Sequence, residues 1–138
     1  YRSKYNLARE MLIELTELLP AGCPVYVLFD SWYASAKLIK FCLRQKWQVV
    51  CALKSNRKIE KQRIDLYNQT LKHKPYQKIT LEAVDEHQPA RTYYVRTVTG
   101  HIENVQQEVY VIISKKRPGT TSPSTSFAQT LLCRLRKP

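Results

Sequence analysis

The sequence predicts an α/β fold: a β-α-β crossover in its first part and a β-rich second part. Three observations carry this. Two short apolar runs, VYVLF at residues 25–29 and QVVCAL at residues 48–53, read as strands. Between them, residues 34–45 place Leu38, Ile39, Phe41 and Cys42 at helical spacing. From residue 78 onward the apolar period falls to two, the spacing of half-buried strands. Strand, helix and strand in so few residues make a crossover whose strands are parallel and whose hand is right-handed.

Taken in order, residues 4–19 carry Leu7, Met11, Leu12, Leu15, Leu18 and Leu19, the repeat of an amphipathic helix, and Pro20, Ala21 and Gly22 end it. The run at residues 25–29 is unbroken, with β-branched and aromatic members, which suits a strand buried on both faces. Leu28, Val50, Ala52, Leu38 and Cys42 are therefore expected to be buried where helix meets sheet. Residues 60–77 are polar and basic, with a short helix expected at 64–71 and an interruption at Pro75. Residues 78–84 alternate through Ile79, Leu81 and Ala83, residues 92–99 alternate again, and residues 109–113 form an apolar run. These should pair antiparallel, with Gly100 marking a turn before the last. Residues 118–126 (PGTTSPSTS) are linker-like, residues 127–138 have no clear element, and no internal repeat is visible.

At 138 residues and 43% hydrophobic composition, the chain is one domain or a piece of one. It holds no run of about 18 apolar residues, which excludes a transmembrane helix, and YRSKYNLAR lacks the apolar core of a signal peptide, so a cytoplasmic location is expected. Cys23, Cys42, Cys51 and Cys133 have no C-x-x-C spacing and lie mostly among apolar residues, so they read as small buried hydrophobes, not zinc ligands or a disulfide frame. The charge is less ordinary. Twenty-three Lys and Arg against eleven acids give a net +12, and nucleic acid is the common polyanion for such a field. A merely solvated basic surface is the alternative.

In open α/β sheets, ligands bind beyond the carboxyl ends of the parallel strands. Asp30 follows the first strand, and Lys54, Ser55, Asn56, Arg57 and Lys58 follow the second, so an acid and a basic cluster should share one edge. A carboxylate there can hold Mg²⁺ together with water and substrate phosphate oxygens, and the cluster can hold the phosphate backbone of the same substrate. Two simpler readings stand beside this: Asp30 as a helix N-cap, and the cluster as an exposed turn.

The string FDSWYASAKLIKFCLRQKWQVVCALKSNRKI resembles the segment around the second catalytic aspartate in bacterial insertion-sequence transposases of the DDE superfamily. Their pattern is an apolar strand, D-S-W-Y or a variant, a helix, an apolar strand, then L-K-S-N-R. The resemblance extends more loosely from about Lys4 through EVYVIISKKRPG. It implies a partial ribonuclease H-like core at residues 1–59, a β-rich insertion at 60–117 and a separate tail at 118–138. It also implies DNA as partner, with neither a membrane nor a small-molecule substrate, and Mg²⁺ or Mn²⁺ held by three carboxylates in the intact enzyme. Carried over residue by residue, Asp30 is one catalytic metal ligand and Ser31, Trp32 and Tyr33 shape its surroundings. Lys54, Asn56, Arg57 and Lys58 are the DNA contacts.

The sequence also departs from the family pattern. An earlier strand should supply the first aspartate and a later helix the final glutamate, and neither is recognisable. Glu82, Asp85, Glu86, Glu103 and Glu108 fall in the β-rich part or its turns and are not promoted. With one carboxylate of three, the isolated chain is expected neither to cut nor to join DNA. Beyond residue 119 the family continues with a strand of the type Y-F-L-C-T-D. A one-nucleotide shift with permissible codons turns residues 123–130 into QYFLCTD, so a change of reading frame near Pro123, with a mobile tail after it, is expected. Two other functions remain open: a small basic nucleic-acid-binding module without chemistry, and an inert fragment.

Overall fold

A computed structural model describes residues 1–115. The expectations for Cys133 and for the tail after Pro123 lie outside these residues. The first helix, α1 (Lys4–Leu18), starts at Ser3, whose hydroxyl accepts a hydrogen bond from the Asn6 amide at 3.2 Å, and ends where Leu19 turns extended before Pro20. Its apolar residues form two adjacent stripes. Leu12, with Leu19 just beyond the helix, leans on the core, whereas Leu7, Met11 and Leu18 face out.

Next come β1 (Tyr26–Phe29), α2 (Ala36–Arg44) and β2 (Gln48–Cys51), with β1 and β2 parallel and Tyr26 opposite Gln48, Phe29 opposite Cys51. The predicted crossover is thus present. Leu38, Ile39, Phe41 and Cys42 form the buried face of α2. At its C-terminus the Trp47 amide donates to the Cys42 carbonyl at 3.1 Å and the Lys46 amide to the Leu43 carbonyl at 3.0 Å, with Lys46 left-handed at φ 61. This tight exit delivers the Trp47 indole edge-on to the Phe41 ring, centroids 6.4 Å apart.

Burial on both faces of the pair is not what the structure shows. Side chains alternate along a strand, and α2 covers one face only, where Val49 and Cys51 are buried and Val27 and Phe29 partly so. On the other face Leu28 is 71% and Tyr26 52% exposed, and Val50 and Ala52 are half-buried. Of the five residues expected at this contact, Leu38 and Cys42 are fully covered.

The chain then makes a small antiparallel hairpin, β3 (Lys58–Ile59) and β4 (Gln62–Arg63), closed by Glu60 and Lys61 at φ 46 and 68, the two left-handed residues of a type I′ turn. A short helix, α3 (Ile64–Thr70), leads into an antiparallel sheet of β5 (Gln77–Leu81), β6 (Arg91–His101) and β7 (Glu108–Lys115) in that order. The expected β-rich second half is therefore antiparallel. Gly100, expected in a turn, lies instead inside β6 opposite Val109. Its lack of a side chain has another use: a Cβ there would stand 2.9 Å from Glu60 Oε1 and 3.2 Å from Ile59 Cδ1. Glu60 Oε1 accepts from the His101 amide at 2.6 Å and sits 3.0 Å from His101 Nδ1, locking the small hairpin onto the end of β6. One continuous buried cluster runs from Phe41, Cys42, Val49 and Cys51 through Leu53, Ile59 and Ile64 to Val98, Val109, Val111 and Ile113.

The cysteine reading is correct for two of the three described. Burial pushes the Cys42 thiol up to about 11, and burial pushes Cys51 up to about 12 against the opposing charge of Arg57. Cys23 is exposed, because the turn after α1 reaches solvent before β1 begins.

Replacing Leu38 by Ala should cost about 2–5 kcal/mol in chemical denaturation, since it opens a cavity beneath α2. Leu28→Ala, on the bare face, should stay within about 0.5 kcal/mol of wild type. Equal losses would mean that α2 is not seated on the face described.

The hydrogen bonds from His101, backbone first and then side chain, hold the Glu60 carboxyl below its ordinary range. A carboxyl depressed on folding adds stability that is present above its unfolded value of about 4.3 and is lost as pH falls through its folded value. Thermal melts from about pH 6 to pH 3 should therefore show a steeper acid loss in wild type than in Glu60→Gln. Parallel curves would disprove the lock.

Candidate functional site

Asp30 immediately follows β1 and Lys54 follows β2 with Ala52 and Leu53 between. Because the strands are parallel, both stand at the same edge. The carboxylate organises its own turn. Oδ1 accepts from the Trp32 amide at 2.8 Å, and the Asp30 carbonyl accepts from the Tyr33 amide at 3.2 Å. The cap of α2 is Ser35, whose hydroxyl accepts from the Leu38 amide at 3.2 Å, so Asp30 does not cap that helix. Asp30 is exposed, and its Oδ2 has no protein partner among the described residues.

The turn that Asp30 holds projects Trp32, 69% exposed, outward. Two ammonium groups stand by this ring: Lys54 Nζ at 5.1 Å from its centroid and Lys4 Nζ at 4.7 Å. An exposed indole flanked by two lysines, next to an exposed carboxylate, is the chemistry of the edge. Lys4 was not legible as part of it. It lies on the first turn of α1, and only the packing of α1 against α2 brings it here.

The other residues of the expected cluster divide. Residues 54–57 form a turn closed by the Arg57 amide on the Lys54 carbonyl at 2.9 Å, and α3 ties that turn down, with the Ile64 amide on the Arg57 carbonyl at 2.8 Å. Lys54 and Asn56 are exposed there, whereas Arg57 is half-buried with its Nε unpartnered among the described residues. Lys58 forms an ion pair with Glu103 at 3.3 Å.

Among the described residues no three of His, Cys, Asp and Glu converge on a point that could hold a metal ion. Asp30 can offer one ligand oxygen, and a two-ion centre needs further carboxylates beside it. None of the described helices is long and apolar enough to cross a membrane.

Among curated proteins no match to the chain was found. A family does match: residues 3–129 correspond to the transposase DDE domain, a span that takes in α1, the crossover, Asp30 with its edge, and the antiparallel sheet. The chain belongs to the transposase DDE domain family.

Proposed function

We propose that the chain is a section of a DNA transposase of the insertion-sequence type in which Asp30 is the second catalytic aspartate of a ribonuclease H-like core. Residues 1–59 form part of that core, residues 60–117 are a β-rich insertion, and residues 118–138 are a tail. The observation that carries this reading is the edge itself. Asp30 has an Oδ2 without a partner among the described residues, beside Trp32 with Lys54 and Lys4 over the indole, at the carboxyl ends of two parallel strands. Membership of a transposase family supports DNA as the substrate class, and a cytoplasmic setting is part of the same proposal.

In this arrangement Lys54, Asn56 and Arg57 hold phosphates near Asp30, and Lys58 joins them when its pair with Glu103 opens; at half exposure that pair is worth little. The dependence on Mg²⁺ or Mn²⁺ belongs to the intact enzyme. One carboxylate does not make the two-ion site, so the isolated chain binds DNA without cutting it. A module with no chemistry in any setting is the second reading, favoured by the lack of converging acids among the described residues. Metal-dependent nicking by a reconstituted, complete enzyme that is lost in Asp30→Asn separates the two.

Binding of the isolated chain to duplex DNA, followed by fluorescence anisotropy, should be weak, independent of sequence and steeply salt-dependent, because the edge offers phosphate contacts and no identified base-reading element. Lys54→Gln should lower the slope of log K against log salt by about 0.9, the release of one counterion. Tight, salt-insensitive binding to a single sequence, or no binding at all, would overturn the reading.

A further inference from the structure

One face of the β5-β6-β7 sheet buries Val98, Val109, Val111 and Ile113, but its character changes along β6 and β7. There Arg96 lies opposite Ile113, and the next row across the sheet is Lys78, Tyr94 and Lys115. The ring of Tyr76 carries two cations, the Arg96 guanidinium and the Lys115 ammonium, each 4.2 Å from its centroid. Arg96 is only 8% exposed. Its Nη1 donates to the Asn68 carbonyl at 3.0 Å and to Asn68 Oδ1 at 2.8 Å, and the Asn68 side chain is also hydrogen-bonded to the Tyr76 hydroxyl. Its Nε is buried without a partner, and its Nη2 makes no hydrogen bond among the described residues.

A buried guanidinium normally faces a carboxylate. Here neither Arg96 nor Lys115 has an ion pair among the described residues. Along the chain the acids closest to Arg96 and Lys115 are Glu103 and Glu108, each seven residues away, and Glu103 is paired with Lys58. Glu108 is the last of the eleven acids, and residues 116–138 add only cations, at Lys116, Arg117, Arg134, Arg136 and Lys137. Glu108 pairs with His101, the far end of β6 from Tyr94, roughly 20 Å along the strand at about 3.3 Å per residue. The positive charge is held in place by Asn68 and Tyr76 and has no acid partner among the described residues.

We propose that Arg96, Lys115 and Lys78 form a second anion site, which takes the phosphodiester backbone of DNA away from the Asp30 edge. Arg96 Nη2 and the two ammonium groups are the donors, Asn68 and Tyr76 position the guanidinium, and Tyr94 fills the row between the lysines. A phosphate supplies the negative charge that the described residues do not, and the fixed guanidinium loses little freedom on binding it. This site rests on the DNA reading above and extends the contact from the crossover to the antiparallel sheet.

The test uses the whole chain, a duplex oligonucleotide and salt titrations of anisotropy. Lys115→Gln and Lys78→Gln should each weaken binding several-fold at low salt and lower the salt slope by about 0.9. Melting temperatures that stay at the wild-type value show that neither change acts through unfolding. In parallel, the Arg96 Nε–Hε resonance should shift when DNA is added, which a purely structural strut would not do. Wild-type affinity and slope in both lysine variants, together with a stationary Arg96 resonance, would overturn the site while leaving the Asp30 edge standing if Lys54→Gln still weakens binding. No binding by the wild-type chain would overturn both.

Discussion

Parallel strands joined through a helix deliver their carboxyl ends to one edge of a sheet. With Phe29 opposite Cys51, that constraint puts Asp30 and Lys54 at one edge although the whole of α2 separates them in sequence. The register is held from one side. Ile39, Phe41 and Cys42 share one buried cluster with Val49 and Cys51, and a slip of one residue would turn those two toward solvent and bring Leu28 and Val50 under the helix. The turn after β1 depends on the same register, because Asp30 can aim Trp32 at the Lys54 ammonium only if both strands stop at the same level.

Cations in this molecule are handled in two ways. Some are paired and solvated, such as Arg2 with Glu10, Lys58 with Glu103 and Arg63 with Asp65. Others stand against aromatic rings and have no ion pair among the described residues: Lys4 and Lys54 at Trp32, whose turn Asp30 holds, and Arg96 and Lys115 at Tyr76. A ring attracts a cation through its quadrupole yet leaves the charge uncancelled. The net +12 is therefore concentrated, in part, into two spots that keep a demand for an anion.

Much of this was legible in the sequence. The periods of apolar residues gave the crossover, the short helix at Ile64 and the three antiparallel strands, because each is a local pattern of two or 3.6 residues. The placement of Asp30 and Lys54 on one edge followed from topology alone. Coverage was not legible: a run such as VYVLF says that a strand is apolar, not how many of its faces another element covers, and so Leu28 and Tyr26 were placed inside. Gly100 was misread because turns and close approaches both call for glycine, and the Glu60 carboxylate it makes room for comes from a distant hairpin. Lys4, Arg96 and Lys115 carry no local signal at all. Their roles exist only once α1, β6 and β7 are brought to Trp32 and Tyr76.

In the proposed reading, DNA meets this chain at the carboxyl edge of β1 and β2. The most direct measurement is a map of backbone amide shifts in the nuclear magnetic resonance spectrum of the isotopically labelled chain as duplex DNA is added. The account predicts that the amides of Asp30, Ser31, Trp32, Tyr33, Lys54, Asn56 and Arg57 move and that those of the bare face at Tyr26 and Leu28 do not. DNA-induced shifts that spare the Asp30 and Lys54 turns altogether would contradict it.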